Sequence, residues 1–307
     1  MRSVWIALVL ILLSESVNAS SCGAEVQLQV LGAGGPEITD SRVSSGYQFW
    51  LDGRSRLLLD TGSGSSFSFE QSQADFADVD AVLLSHLHTD HSADLPTYIK
   101  GSFFTRRNRD LLVIGPDKNS RMPATSEFIT RLFGQEGAFP YLSDYLQKGL
   151  ESYQILSEDV PMEKGAALYE KAFPWGKVTA ISVNHGPIPA LAWRIQMAGC
   201  VVVYSGDLSN KTDKLAQFAQ QADLLVIHMA IPESAGQIAK SLHVTPTEIA
   251  QIAATAKPRQ LLISHLMRRS EPELSTTLKQ IQENYAGKVV VAQRLLTVPV
   301  SSRGAAK

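Results

Sequence analysis

The chain has 307 residues, 44% of them hydrophobic and 19% charged, with a formal net charge of -2. That is enough apolar material for one large domain or two small ones. No basic field of the kind a nucleic-acid binder carries is visible, and two cysteines are too few for a thiolate metal site or a disulfide scaffold.

The N-terminus reads as an export signal. Arg2 precedes ten apolar residues, 4–13, and Val17-Asn18-Ala19 follows a polar step. Charge, short apolar core and small residues in that order mark a secretory signal over 1–20, and the core is too short to span a bilayer. The mature protein is then periplasmic or secreted, residues 21–307 forming one domain without a membrane span. Cys22, after small residues, is also a candidate lipid anchor, although Ala19-Ser20-Ser21 lacks the branched apolar residue such sites prefer. In an exported protein Cys22 and Cys200 could instead form one disulfide.

Residues 25–31 alternate like a strand. Residues 47–51 and 56–60 flank Asp52-Gly53, a hairpin signal. Residues 67–76 read as partly helical, 79–84 as a buried strand and 92–100 as a helix. Strand 111–114 is followed by a segment, 117–165, expected to be a mainly helical insertion over 124–150 that caps the site. Strands are expected at 152–156, 167–173, 178–183, 190–196, 201–205, 224–227, 261–264 and 289–292, the last closing the sheet. Thr245, Pro246 and Glu248 stand at the N-cap, first and third positions of a helix running to 256, and 271–285 is a further helix. The tail after Val300 reads as frayed. Strands dominate early and alternate with helices later, a mixed α/β pattern without a linker.

The chemistry concentrates in Ser85-His86-Leu87-His88-Thr89-Asp90-His91, directly after a buried strand. Each imidazole has two nitrogens that need partners, and packing does not call for three rings together. A metal site does, because imidazole and carboxylate are usual ligands of zinc and its neighbours. His86 and His88 project to one side of an extended segment, and the following turn brings Asp90 and His91 to a second position. His185, His228 and His265 also end strands, Asp60 and Asp207 follow strands, and sites of open α/β sheets gather at strand ends.

Leu58-Leu59-Asp60-Thr61-Gly62, the histidine loop, Asn184-His185, Tyr204-Ser205-Gly206-Asp207 and Leu262-Ile263-Ser264-His265 occur in the order of a known family. The chain resembles the metallo-β-lactamase-fold hydrolases, and among them the ribonuclease Z and arylsulfatase branch. The resemblance spans about Val26 to Ala292 and implies a four-layer αβ/βα sandwich. It implies two metals, zinc by ligand type, with manganese or iron fitting the same donors. His86, His88 and His185 would hold the first and Asp90, His91 and His265 the second. Asp207 would bridge them, and Asp60 behind them would steady the loop. A hydroxide between the metals would be the nucleophile, with Asp90 and His243 as the catalytic side chains. His243 lies in Ser241-Leu242-His243-Val244-Thr245-Pro246-Thr247-Glu248, which resembles the ribonuclease Z stretch whose histidine acts beside the metals. His228 reads either as a satisfied core residue or as a support behind the ligands.

Two departures bear on the substrate. Where ribonuclease Z has a glutamate after the strand-end histidine, this chain has Met229, unless Glu233 reaches in. Residues 117–177 hold seven Lys and Arg against nine Asp and Glu, no basic arm for transfer RNA. Arg106-Arg107-Arg109 reads as a solvated helix end or as an anion site. Gly62-Ser63-Gly64 lacks a P-loop lysine and reads as the loop that lets Asp60 approach. The expected activity is hydrolysis of a small phosphodiester or sulfate ester, with no nucleic-acid partner. A lactonase or β-lactamase-type activity on the same metals is the alternative. A non-catalytic metal-binding exported protein is the alternative of another class. The oligomeric state is not legible.

Overall fold

The consecutive residues Leu57, Leu58 and Leu59 show how the fold divides its side chains. Leu57 and Leu59 are buried between two sheets, and Leu58 is buried on the other side, under helices. The same alternation sends Leu224 and Val226 to the space between the sheets and Leu225 and Ile227 to the opposite outer face. Period-two side-chain direction on strands covered on both faces yields four layers, helix, sheet, sheet, helix. The computed structural model describes Cys22 and residues 25–163 and 167–301, so the expected signal at 1–20 lies outside the described residues.

The first sheet contains β1 (Val26–Gly32), β2 (Gly46–Leu51), β3 (Arg54–Thr61), β4 (Ala81–Leu83), β5 (Leu111–Pro116), β6 (Ile155–Val160) and β14 (Thr297–Val300), in the order β14-β1-β2-β3-β4-β5-β6. The second contains β7 (Tyr169–Phe173), β8 (Gly176–His185), β9 (Ile188–Met197), β10 (Cys200–Tyr204), β11 (Leu224–His228), β12 (Gln260–Ser264) and β13 (Lys288–Val291), in the order β13-β12-β11-β10-β9-β8-β7. Strands β3 to β6 are mutually parallel, as are β10 to β13. Their C-terminal ends therefore open on one edge of each sheet. β8 is antiparallel to β9, which is antiparallel to β10, so His185 reaches the same edge.

Helices α1 (Ser65–Gln71), α2 (Thr89–Ser92), α3 (Leu95–Ser102) and α4 (Thr125–Phe133) belong to the first half. Helices α5 (Lys214–Phe218), α6 (Gln237–Lys240), α7 (Pro246–Ala256) and α8 (Leu274–Asn284) belong to the second. At α7 the Thr245 side chain accepts from the Glu248 N–H while Glu248 returns a bond to the Thr245 N–H. At the β2–β3 turn Asp52 and Gly53 both take positive φ, 48° and 74°, the geometry a two-residue hairpin needs.

Three details differ from the sequence reading. Residues 297–300 form β14, which pairs antiparallel with β1 and makes an edge strand there. Pro299 inside that run argues against a central strand, and an edge tolerates it. The strand expected at 152–156 falls at Ile155–Val160, so the end of the 117–165 segment belongs to the first sheet. Ile129 and Phe133 of α4 are buried in the cluster on that sheet's outer face.

Cys22 and Cys200 are disulfide-bonded across a sequence separation of 178 residues, which ties the start of the chain to β10. A lipid at Cys22 would need the same sulfur. Closing a loop this long restricts the unfolded chain, so Cys200→Ser is expected to lower the unfolding free energy in urea by about 2–4 kcal/mol. An unchanged free energy, with free thiols titrating in the parent protein, would refute the cross-link. Among the described residues no helix is long and apolar enough to cross a membrane.

Candidate metal centre

Each half of the fold delivers side chains to the open edge. The turn after β4 supplies His86, His88 and, from α2, Asp90 and His91. The second sheet supplies His185 from the end of β8, Asp207 after β10, His228 from the end of β11 and His265 after β12. His243 comes from the turn before α7. Asp60 and His265 both adopt left-handed backbone, each with φ 55°. Asp and His are among the few side chains that tolerate it, and such residues cluster at working sites. Gly62 is required by close approach, since a Cβ there would stand 2.1 Å from the Asp90 carbonyl oxygen. The loop behind Asp60 thus lies directly under the histidine turn.

Five overlapping donor groups form among the described residues, three of them through Asp207, and two match the ligand sets expected from the sequence. His86, His88 and His185 bring one nitrogen each within 4.8 Å of one another, and so do the donor atoms of Asp90, His91 and His265. Asp207 stands between them. Its Oδ2 is 3.7 Å from His91 Nε2 and 3.9 Å from His185 Nε2, and its Oδ1 is 3.5 Å from His265 Nε2. All seven residues read from the sequence as ligands meet here.

The hydrogen bonds set the direction of the lone pairs. His185 Nδ1 lies 2.8 Å from the Leu242 carbonyl, which can only accept, so Nδ1 carries the proton and Nε2 is bare. That bare nitrogen faces His88 Nδ1 at 3.3 Å, and His86 Nε2 faces the same atom at 3.0 Å. One proton cannot serve three converging nitrogens, whereas a cation would. His91 Nδ1 donates to Asp60 Oδ2 at 2.7 Å, which leaves its buried Nε2 without a hydrogen-bond partner. Imidazole and carboxylate donors around two points, with a buried nitrogen otherwise orphaned, fit divalent cations of the zinc type.

The electrostatics agree. Burial works against the charged forms of His86, His88 and His185, and all three are held below the usual histidine range. These are the neutral rings that ligation needs. In the other half burial also disfavours charge, but Asp90, Asp60 and Asp207 outweigh it and raise His91 well above its ordinary value. Asp207 is pushed up by burial and pulled down further by His265, His243 and His91, so it ends well below the carboxylate range. Where three buried carboxylates meet, positive charge is in demand.

Behind the ligands lies a polar layer that the sequence only partly signalled. Asp60 accepts from the Ser85 N–H at 2.6 Å, the Ser85 hydroxyl at 2.7 Å, His91 Nδ1 and the Tyr204 hydroxyl at 2.6 Å. His228 Nδ1 lies 2.7 Å from Asp207 Oδ1, so this ring supports the central carboxylate. Tyr47 donates to Ser264 at 2.6 Å and faces His228 Nε2 at 3.3 Å. Ser85 and Ser264 precede His86 and His265, and Tyr204 opens the Tyr-Ser-Gly-Asp run. These positions were the available signal, and Tyr47, mid-strand, had none.

His243 is buried, its Nδ1 lacks a partner and lies 3.7 Å from Asp207 Oδ2, and burial pushes its pKa down to about 3. Glu233 does not pair with it. Its Oε2 accepts from the Thr247 N–H at 2.9 Å, while Met229 is buried in the helix-facing core. Two of the three clustered arginines are structural, and Arg106 is exposed. Arg107 is buried between Phe76 and Tyr153 and donates to the carbonyls of Phe76, Val79 and Asp110, while Arg109 pairs with Asp80. Half-buried His88 is the most open of the seven histidines, so access lies on its side. From the 117–165 segment, Asn119 donates to the Pro187 carbonyl beside His185.

The beta-lactamase superfamily domain matches residues 55–266, more than half the chain. The protein belongs to the metallo-β-lactamase superfamily. It is therefore a member of a metal-dependent hydrolase superfamily. Its sequence is 24% identical to a ribonuclease Z of Methanosarcina acetivorans over 91% of this chain and 99% of that one. Among solved structures, the metallo-β-lactamase fold protein YhfI from Bacillus subtilis aligns with a TM-score of 0.69 at 21% identity, covering 90% and 99% of the two chains. Human tRNase Z, short form, aligns with the same score at 19% identity, covering 89% and 99%. The four-layer sandwich expected from the sequence is the observed fold.

Proposed function

We propose that the protein is an exported hydrolase with two zinc ions that cleaves small phosphodiester or sulfate esters. The carrying observation is Asp207, one carboxylate within 3.9 Å of nitrogens from both ligand groups. The ribonuclease Z relatives support a phosphodiesterase chemistry. Diverted Glu233, buried Met229, the internally committed Arg107 and Arg109 and the acidic 117–177 segment count against transfer RNA as substrate. The signal-like N-terminus and the disulfide support an oxidising, extracytoplasmic compartment.

Two divalent cations here would supply Lewis acidity and a water whose pKa is lowered toward 7. The protein's own part is positional. Asp60 and Ser85 hold the histidine turn, His228 holds Asp207, and the Leu242 carbonyl fixes the His185 tautomer. His243, on the side of the second sheet, can present an N–H to the departing oxygen.

The test is a substrate panel on protein of measured metal content: nitrophenyl phosphodiester, aryl sulfate, lactone and cephalosporin. Turnover of the first two, abolished by a chelator and restored by zinc, is expected. Turnover of the last two alone would sink the reading.

A further inference from the structure

The turn after β5 carries two cations that nothing in the fold uses. Residues 117–123 leave the first sheet at the edge where its parallel strands open toward the ligands. Asn119 closes this turn on itself. Its Oδ1 accepts from the Arg121 N–H at 2.8 Å and the Met122 N–H at 2.9 Å, and its own N–H donates to the Met122 carbonyl at 3.1 Å. Its Nδ2 then pins the closed turn to the Pro187 carbonyl at 2.8 Å. Pro187 is two residues past His185, at most ~7 Å of chain. Met122 and Pro123 give a second anchor, because they enclose a small gap with Leu87, the residue between His86 and His88. Both anchors flank the first ligand group, on the side where His88 is half-open.

With Asn119 and Met122 committed, Lys118, Ser120 and Arg121 stand exposed. Among the described residues none of these three side chains has a hydrogen bond or an ion pair, and the neighbouring Asp117 takes the Lys118 backbone N–H. Other cations of the same segment do find carboxylates: Arg131 pairs with Glu127, Lys171 with Glu158 and Lys177 with Glu170. Residues 117–177 hold nine acids against seven bases, so acidic partners were not scarce.

We propose that Lys118 and Arg121 bind a second anionic group of the substrate, outside the mouth, while the ester lies at the ligands. The inference rests on the hydrolase reading above and narrows it. One alcohol half of the ester carries a phosphate or a carboxylate, on the order of 10 Å from the bond that breaks. The donors suit such a group. A guanidinium presents two parallel N–H groups to an oxyanion, and an ammonium adds a point charge. The closed turn is already ordered, so binding need order only the two side chains. Two cations on one turn are also too few for the extended field that a polyanion requires, which keeps the substrate small. A contact this far from the reacting atoms is made equally in the ground and transition states, so it acts on KM.

Three nitrophenyl phosphodiesters test this on the metal-loaded protein, their second alcohol ending in a hydroxyl, a carboxylate or a phosphate. For the parent protein KM is expected to be at least ~10-fold lower for an anion-ended ester than for the hydroxyl-ended one, with kcat equal within ~2-fold. Lys118→Ala/Arg121→Ala should bring that KM ratio to about 1, and Lys118→Glu/Arg121→Glu should invert it. Arg131→Ala, which removes a cation already paired in the same segment, should keep it. A gain with the phosphate alone assigns the turn to a phosphorylated alcohol, and a gain with the carboxylate alone to a hydroxy acid. Equal KM for all three esters in the parent, or a ratio that survives either double variant, overturns the proposal and leaves the hydrolase reading standing. Turnover of none of the three overturns both.

Discussion

Asp207→Ala is expected to lose metal and activity together. The carboxylate is buried and approached by five rings, those of His91, His185, His228, His243 and His265. Alanine removes the group that both ligand sets share and leaves the His228 N–H without an acceptor in the core. Lewis-acid stabilisation is worth several kcal/mol, and each 1.36 kcal/mol is tenfold in rate, so kcat/KM should fall by roughly 10³-fold or more. Metal analysis should show fewer than two equivalents per chain. Two full equivalents in a folded Asp207→Ala protein would remove the bridge from the proposal.

His243→Ala is expected to separate the two properties. His243 lies against Asp207 and forms a donor group with it and His185, but it stands outside both three-residue sets assigned to the ions, and its Nδ1 has no partner. Metal content should stay at the parental value while kcat drops by about 10²–10³-fold, the range for one N–H aimed at developing negative charge. The drop should shrink for nitrophenolate, which departs without a proton, and widen for an alkoxide leaving group. A loss of metal in this variant would instead make His243 a ligand, and a uniform loss across leaving groups would end its role at the departing oxygen.

How far the site could be read from the chain depended on where its residues sit. His86, His88, Asp90 and His91 lie within six positions, so local geometry alone argued for metal. His185, Asp207 and His265 are far apart in sequence and were assigned by resemblance. The fold explains their meeting, because parallel strands place their C-terminal ends on one edge. Glu233 shows the limit in the other direction. Its spacing allowed it to approach His243, but the Thr247 N–H at the start of α7 takes its carboxylate. The arginines at 107 and 109 could not be separated into solvated, anion-binding or structural from their neighbours in sequence. Only burial against Phe76 and Tyr153, with carbonyl acceptors from distant turns, decides it.

By itself the sequence determined the mixed α/β pattern, the strand that feeds the histidine turn and the donor types available to a cation, while the four layers came from the family resemblance. The first three follow from alternation and composition, which are local. The tertiary structure alone decided that His228 supports Asp207, that Tyr47 and Tyr204 back the site, that Cys22 meets Cys200 and that Phe103, Phe104 and Tyr141 gather around Lys100. Each of those is a pairing between residues far apart in the chain, or a surface shared by separate segments. Such relations exist only once loop closure has brought the segments together.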